Sequence, residues 1–507
     1  MKNLKKFAIP SLCLLNIIVH LSSISYLEFH RDELLYFSLS NHLELGYASV
    51  PPFISWMAWL AKSIFGFCPF AVKIFPALLS GAFIFLCTRI ARELKGGFYA
   101  EVLTAVFIMC TPLSLRAFIL FQPVPFDIFF WTVSLWLILK YINTESNHYL
   151  YLLGAVMGLA LLNKYLILIL IFSLLLVLPF TNQRKIFTSK AFYLSLLITL
   201  VIVSPNVYWQ FANDFPVFTH MAELSENQLE NVSISQFLLG QVTMLLLAMI
   251  VSFVGLVYIL FNKKTNNYRL FGFAPLLVLA ILILTKGKDY YAAGIYPFLI
   301  ASGTTVLEKW IKGILPRLAV IILLVLITIP FLPVGIPFLP PEKLVEHFDK
   351  LESYGIDVGR IHENGQKYRL PQDYADMLGW YEIADLTRIA YEQAPDKSRT
   401  AIFGENYGIA GAVSLIGKKY GLPEALSFSD AYEFWVPESF DPDIETLIYI
   451  NDELGSDVEA LFEEIILIGE VADPLSRQYG VKVYLCNQPR RSFNAFWKET
   501  LKAVRSD

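Results

Sequence analysis

Four ionisable side chains in a row, His30, Arg31, Asp32 and Glu33, interrupt a half of the chain that otherwise uses charge sparingly. They open the stretch EFHRDELLYFSLSNHLELGYASVPPFISW, residues 28–56, between two long apolar runs. Adjacent carboxylates at a membrane edge suit acid–base chemistry. The same pair also suits the first turn of a helix, where negative groups meet the positive end of the dipole. Further on, Asp127 in FQPVPFDIFFW is a lone carboxylate at the entrance of an apolar run, a costly position without a function or a partner. A cap at a helix start is the structural alternative. Cations gather in comparable places: Arg116, Lys164 in Asn163-Lys164-Tyr165, and Lys286 and Lys288 in KGKDYY, beside Tyr290 and Tyr291. Each can snorkel to lipid. As a set facing one compartment, they would hold an anionic headgroup such as a phosphate.

The elements that position these groups follow from composition. The chain is 56% hydrophobic and 15% aromatic over 507 residues, with a mean hydropathy of +0.53. That is an integral membrane protein and not a soluble domain. Residues 1–336 carry 23 Lys and Arg against 14 Asp and Glu, whereas the remainder carries 17 against 30. The expected organisation is a membrane domain over 1–339, with a functional first outer loop at 28–69, followed by an acidic extracytoplasmic domain over 340–507. The five cysteines have no paired spacing and imply neither a disulfide framework nor a metal cluster.

Apolar runs near 7–27, 70–90, 98–118, 124–142, 149–162, 164–180, 191–211, 236–261, 270–285, 290–308 and 318–336 predict about 11 spans. With the N-terminus cytoplasmic, 16 of the 23 basic residues fall on the inner side. The predicted topology is therefore N-in and C-out. In the outer loop, Gly46 ends a helix and Pro51-Pro52 prevent its continuation, which predicts short interfacial helices. Tyr36 and Tyr47 would place aromatic rings at this interface, as would Tyr290 and Tyr291 at the lip of a later span. The loop 212–235 adds Asp214, His220, Glu223, Glu226 and Glu230, a solvated face in which His220 is a weak metal-ligand candidate. Asn231-Val-Ser233 is a glycosylation sequon by pattern alone.

Beyond residue 340, short strands at Thr400–Phe403, Thr446–Ile450, Ile465–Ile468 and Lys482–Cys486, with helices near 374–394 and 408–420, read as a small α/β domain. GENYGIAG lacks the lysine-threonine of a phosphate-binding loop and the GxGxxG spacing, so it reads as an ordinary strand-turn-helix.

Five stretches in order, RDELLYFSLSNHLELGYASVPPFISW, FQPVPFDIFFW, LLNKYLIL, SPNVYWQFANDFP and KGKDYYAAGIYPFLIASG, resemble the membrane glycosyltransferases that take sugar from a polyprenyl-phosphate carrier. These include the protein O-mannosyltransferases and the aminoarabinose transferase of lipid A. The likeness runs through most of residues 1–310, and GENYGIAGAVSLIGKKYGLP resembles a segment frequent among bacterial members. The resemblance implies a GT-C-like helical membrane domain. It implies that Asp32 is the catalytic base with Glu33 as its companion, and that Asp127 is a second acidic site for acceptor or metal. Lys164, Lys286 and Lys288, with Arg116, would line the carrier-phosphate pocket. Many members carry a further aspartate where this chain has Val124, which argues against a metal-dependent version. No cofactor follows, a divalent cation being the one candidate with Asp127 and His220 as its weak ligand candidates.

The implied reaction is inverting transfer of a sugar from a polyprenyl-phosphate donor to an envelope acceptor, protein, lipid A or other glycan, at the outer face of a bacterial inner membrane. Its partners are that donor, a lipid or protein acceptor and the bilayer, and not nucleic acid. The rival reading is a flippase for a lipid-linked saccharide, which should show repeated halves and mid-span charges. No internal repeat is visible, and the notable charges gather at one predicted face.

Overall fold

The computed structural model describes residues 2–24, 26–226, 232–356 and 358–505. Among the described residues, the apolar runs read from the sequence are largely helical. Among the described residues, five helices are long and apolar enough to cross a bilayer: Lys5–Ile24, Pro69–Glu93, Pro123–Thr144, Lys190–Ala212 and Ile314–Gly335. Phe53–Phe65, Phe98–Met109, His148–Asn163 and Leu270–Leu284 are shorter apolar helices. The protein is thus a helical, multi-pass membrane protein.

Two pairs reach span length only together. Ile167–Phe180 and Asn182–Thr188 bend by 107°, and Ile234–Leu245 and Leu247–Phe261 bend by 102°. The second bend divides the apolar run 236–261, which hydropathy reads as continuous. The break is at Leu246, whose φ of 48° and ψ of −123° leave the helical region. A leucine at positive φ is uncommon, and surrounding packing has to hold it there.

The chain divides into two compact units that interleave along the sequence. The first comprises Met1–Ser23, Glu44–Ile54 and Lys73–Ile336; the second comprises Ile24–Leu43, Ser55–Val72 and Pro337–Asp507. The division therefore gives most of the first loop to the unit that holds the C-terminal segment.

Within the second unit, β1 (Thr400–Gly404), β2 (Thr446–Asn451), β3 (Phe462–Glu470) and β4 (Lys482–Pro489) fall at the four expected segments. Their order is β1-β2-β4-β3, with β1 parallel to β2 and the other neighbours antiparallel. Phe403, Leu447, Tyr449, Phe462, Phe493 and Trp497 form its core, against which the helix Phe493–Val504 lays its apolar face. The helix Arg31–Leu39 belongs to the same unit and is buried from Glu33 to Leu39. A run as apolar as its Leu34–Leu39 part has to be enclosed. Here it packs against residues 407–416, the turn and helical run that follow β1.

Candidate active site

In the second unit the candidate base stands at the first turn of Arg31–Leu39. The turn is held by a reciprocal cap: the Glu33 carboxylate accepts from the His30 backbone N–H at 2.9 Å, and the His30 ring accepts from the Asp32 N–H at 3.2 Å. Glu33 is fully buried, so its carboxylate serves the helix start as the capping alternative expects. Asp32 keeps about a quarter of its side chain exposed (27%), with its Oδ2 3.9 Å from His30 Nδ1. Its Oδ1 accepts a 2.8 Å hydrogen bond from the hydroxyl of Tyr407. The Arg31 guanidinium lies over the Tyr407 ring, 5.0 Å from its centroid. Tyr36 is buried, and its charged neighbours include Asp32, Asp430 and Arg31.

Tyr407 is the residue that sequence reasoning missed. It opens the helix Tyr407–Gly411, which Asn406 caps by accepting from the N–H groups of Gly408 and Ile409 at 3.0 and 3.1 Å. Gly408 and Gly411 of GENYGIAG belong to this contact and not to a nucleotide loop. A methyl group at Gly408 would stand 2.6 Å from Arg31 Cγ and 2.7 Å from the Trp380 ring, and one at Gly411 would stand 2.9 Å from Leu34 Cβ. The two helices close on each other because those side chains are absent. A tyrosine beside glycines spaced to face a second helix was the available signal, and its partner lies 375 residues away.

Glu28 anchors the stretch at its other end. Its carboxylate accepts from the N–H groups of Gly379, Trp380 and Tyr381 at 3.3, 2.7 and 3.0 Å, at the start of the helix Trp380–Gln393. Burial pushes the Glu28 carboxyl upward against the pull of those three donors. Beyond the helix, His42 stacks on Trp435 at 4.1 Å and pairs with Glu424 at 3.0 Å.

In the first unit a second cluster forms around Asp127. Pro123 and Pro125 occupy the first turn of Pro123–Thr144, where a missing N–H costs little. Asp127 is the fifth residue of that helix, past the capping position held by Gln122. Its buried carboxylate accepts from Trp131 Nε1 at 3.0 Å, one turn along. Asn163, at the end of His148–Asn163, donates to the Pro123 carbonyl at 2.9 Å and so ties Lys164 to the start of Asp127's helix. Lys164 has Asp127 and Lys288 as its charged neighbours. Its ammonium lies 5.3 and 4.8 Å from the ring centroids of Tyr290 and Tyr291. The turn Asp289–Ile295 reaches this place because Gly294 leaves room for Trp131, to which a methyl group would approach within 2.5 Å. Asp127, Lys164, Lys288, Tyr290 and Tyr291 thus form one neighbourhood.

Lys286 is exposed beyond the helix Leu270–Leu284, and Arg116 is exposed in the last turn of Pro112–Ala117. Tyr47 is 2% exposed, and its hydroxyl accepts from the Glu44 N–H at 3.1 Å. The motif SPNVYWQF clamps that loop: Asn206 donates to the Leu45 carbonyl at 2.8 Å and Trp209 to the Glu44 carboxylate at 2.5 Å. Gly46 is required there, since a methyl group would lie 2.5 Å from the Trp209 ring. His220 lies on the helix Pro216–Leu224. Glu230 and Asn231 lie outside the described residues. Among the described residues, no three His, Cys, Asp or Glu side chains gather in a way that could hold a metal ion.

Residues 49–209 match the family described as dolichyl-phosphate-mannose-protein mannosyltransferase. The segment covers Asp127, Lys164 and the Asn206–Trp209 clamp. Over 94% of this chain and 97% of that one, the fold matches the crystal structure of ArnT from Cupriavidus metallidurans bound to undecaprenyl phosphate, with a TM-score of 0.62 and 14% identity. The apo state of the same protein matches over the same shares with a TM-score of 0.59 and 13% identity. The chain has the GT-C fold. Both findings bear out the resemblance to lipid-phosphate-sugar glycosyltransferases that the ordered motifs carry. No curated protein sequence matches the chain.

Proposed function

We propose that this protein is an inverting glycosyltransferase that moves a sugar from a polyprenyl-phosphate carrier to an envelope acceptor at the outer face of a bacterial inner membrane, with its C-terminal segment outside. The observation that carries the reading is the Lys164 neighbourhood: two lysines, a buried carboxylate and two tyrosines collected where the chain enters apolar helices. A likeness in fold to a protein solved with undecaprenyl phosphate supports the same donor class.

The chemistry requires little else. As the bond between the anomeric carbon and the phosphate oxygen breaks, its electron pair passes to the carrier phosphate, which gains a negative charge. Lys164 and Lys288, with Lys286 and Arg116 as further candidates, meet that charge, and cations placed for it act more strongly in the transition state than in the ground state. Asp127 offsets the charge of Lys164 before the donor arrives. Asp32 takes the proton of the attacking acceptor group as the new glycosidic bond forms, while Glu33 shapes the turn that presents it. Tyr290 and Tyr291 offer faces to the sugar or the first prenyl unit; Tyr36 and Tyr47 are weaker candidates for that contact.

The test is transfer from radiolabelled undecaprenyl-phosphate sugars, mannose and aminoarabinose first, in membranes holding the wild type or Asp32→Asn. Transfer that depends on Asp32 and inverts the anomeric carbon is expected. Undiminished transfer by Asp32→Asn removes the base, and a product of retained configuration refutes direct displacement.

A further inference from the structure

We infer that Tyr407, from the turn after β1, is a positioning residue for Asp32: its hydroxyl holds one carboxylate oxygen so that the other faces the acceptor. The inference rests on the reading of Asp32 as the base and adds a residue outside the segment matched to the mannosyltransferase family.

A carboxylate that must take a proton along one line gains when its second oxygen is fixed, because free rotation of the side chain spreads the basic lone pairs over many directions. Tyr407 supplies that restraint at 2.8 Å from Oδ1, leaving Oδ2 on the side of His30. The hydroxyl is itself well placed. Asn406 caps the helix that begins with Tyr407, Gly408 and Gly411 let that helix close on Arg31–Leu39, and Arg31 covers the ring. Burial, with the adjacent Asp32 and Asp430 carboxylates, pushes the Tyr407 phenol well above its ordinary range despite Arg31. Tyr407 therefore keeps its proton and stays a donor. In the transfer step the acceptor's proton goes to Oδ2 of Asp32, the acceptor oxygen bonds the anomeric carbon, and the electron pair of the broken bond leaves with the carrier phosphate. Tyr407 neither gains nor loses a proton.

The test uses the full-length protein in nanodiscs and Tyr407→Phe, which keeps the ring under Arg31 and removes only the donor. Without any substrate, carboxyl labelling by a water-soluble carbodiimide and an amine is followed at each site by peptide mass spectrometry. Labelling of Asp32 is expected to rise about fivefold, as loss of a bond to a charged group predicts, while Glu33 and Asp430 stay as in the wild type. An unchanged rate at Asp32, or an equal rise at every carboxyl, overturns the inference, since the hydroxyl then serves the fold alone. With radiolabelled undecaprenyl-phosphate mannose as probe, kcat is expected to fall about 30-fold with the donor KM within twofold of wild type. If Asp32→Asn transfers normally, the base reading fails and this inference with it. If Asp32→Asn is inactive while Tyr407→Phe keeps wild-type kcat, this inference fails alone.

Discussion

Asp32 and Asp127 both stand near the start of a helix, yet their surroundings are built in opposite ways. Asp127 takes its hydrogen bond from Trp131, four residues along the same helix, and its cation from the Asn163-Lys164 corner. Asp32 takes its hydrogen bond from Tyr407 across 375 residues. A local arrangement is written in spacing, because i and i+4 share one helix face whatever the tertiary structure does. A long-range arrangement depends on two helices closing, and that depends on Gly408 and Gly411 having no side chains. The difference teaches where each acid is vulnerable: Asp127 to changes one turn away, Asp32 to changes in a segment that never approaches it in sequence.

The comparison can be broken most sharply at the acids themselves. Asp32→Asn should lower transfer from a radiolabelled polyprenyl-phosphate sugar by about a thousandfold, the usual range for loss of a general base. Comparable loss from Asp127→Asn would erase the distinction between base and support; about a tenfold loss is expected there. Between these, Lys164→Gln should raise the donor KM about 20-fold in the same assay, as removal of a charged partner from a phosphate predicts. An unchanged KM would move the phosphate site elsewhere. Gly411→Val tests the long-range arrangement by stability: overpacking against Leu34 should cost about 2 kcal/mol, read as a lower melting temperature in detergent.

The smallest effect concerns Glu352. Arg360 and Lys367 hold its carboxyl down to about 2 from an ordinary 4.5. Since the folded value lies below the unfolded one, the pairing stabilises fully above that ordinary value and fades as pH falls toward 2. Glu352→Gln should therefore melt slightly earlier than wild type at neutral pH and converge with it on acidification.

Much of this was legible beforehand. The apolar runs became helices and the four short segments became strands, because hydrophobic period and length are local properties. FQPVPFD and KGKDYY stood out as candidates since their prolines, cations and aromatics act within a turn. The bend at Leu246 was not legible, for nothing in a leucine-rich run signals a residue at positive φ. Neither was the sharing of the first loop with the C-terminal segment. Glu28 caps a helix that starts at Trp380, and Tyr432 donates to Ser38 at 2.7 Å. Such pairs leave no periodic trace in either partner.

Chimeras between relatives must respect that interleaving. A graft bounded at residue 340 would separate Arg31–Leu39 from residues 407–416 and leave two apolar surfaces facing water. The transplantable piece is discontinuous and includes 24–43 and 55–72 as well as everything after 336. A donor segment chosen by its strands alone would arrive without the helix its glycines were selected to fit.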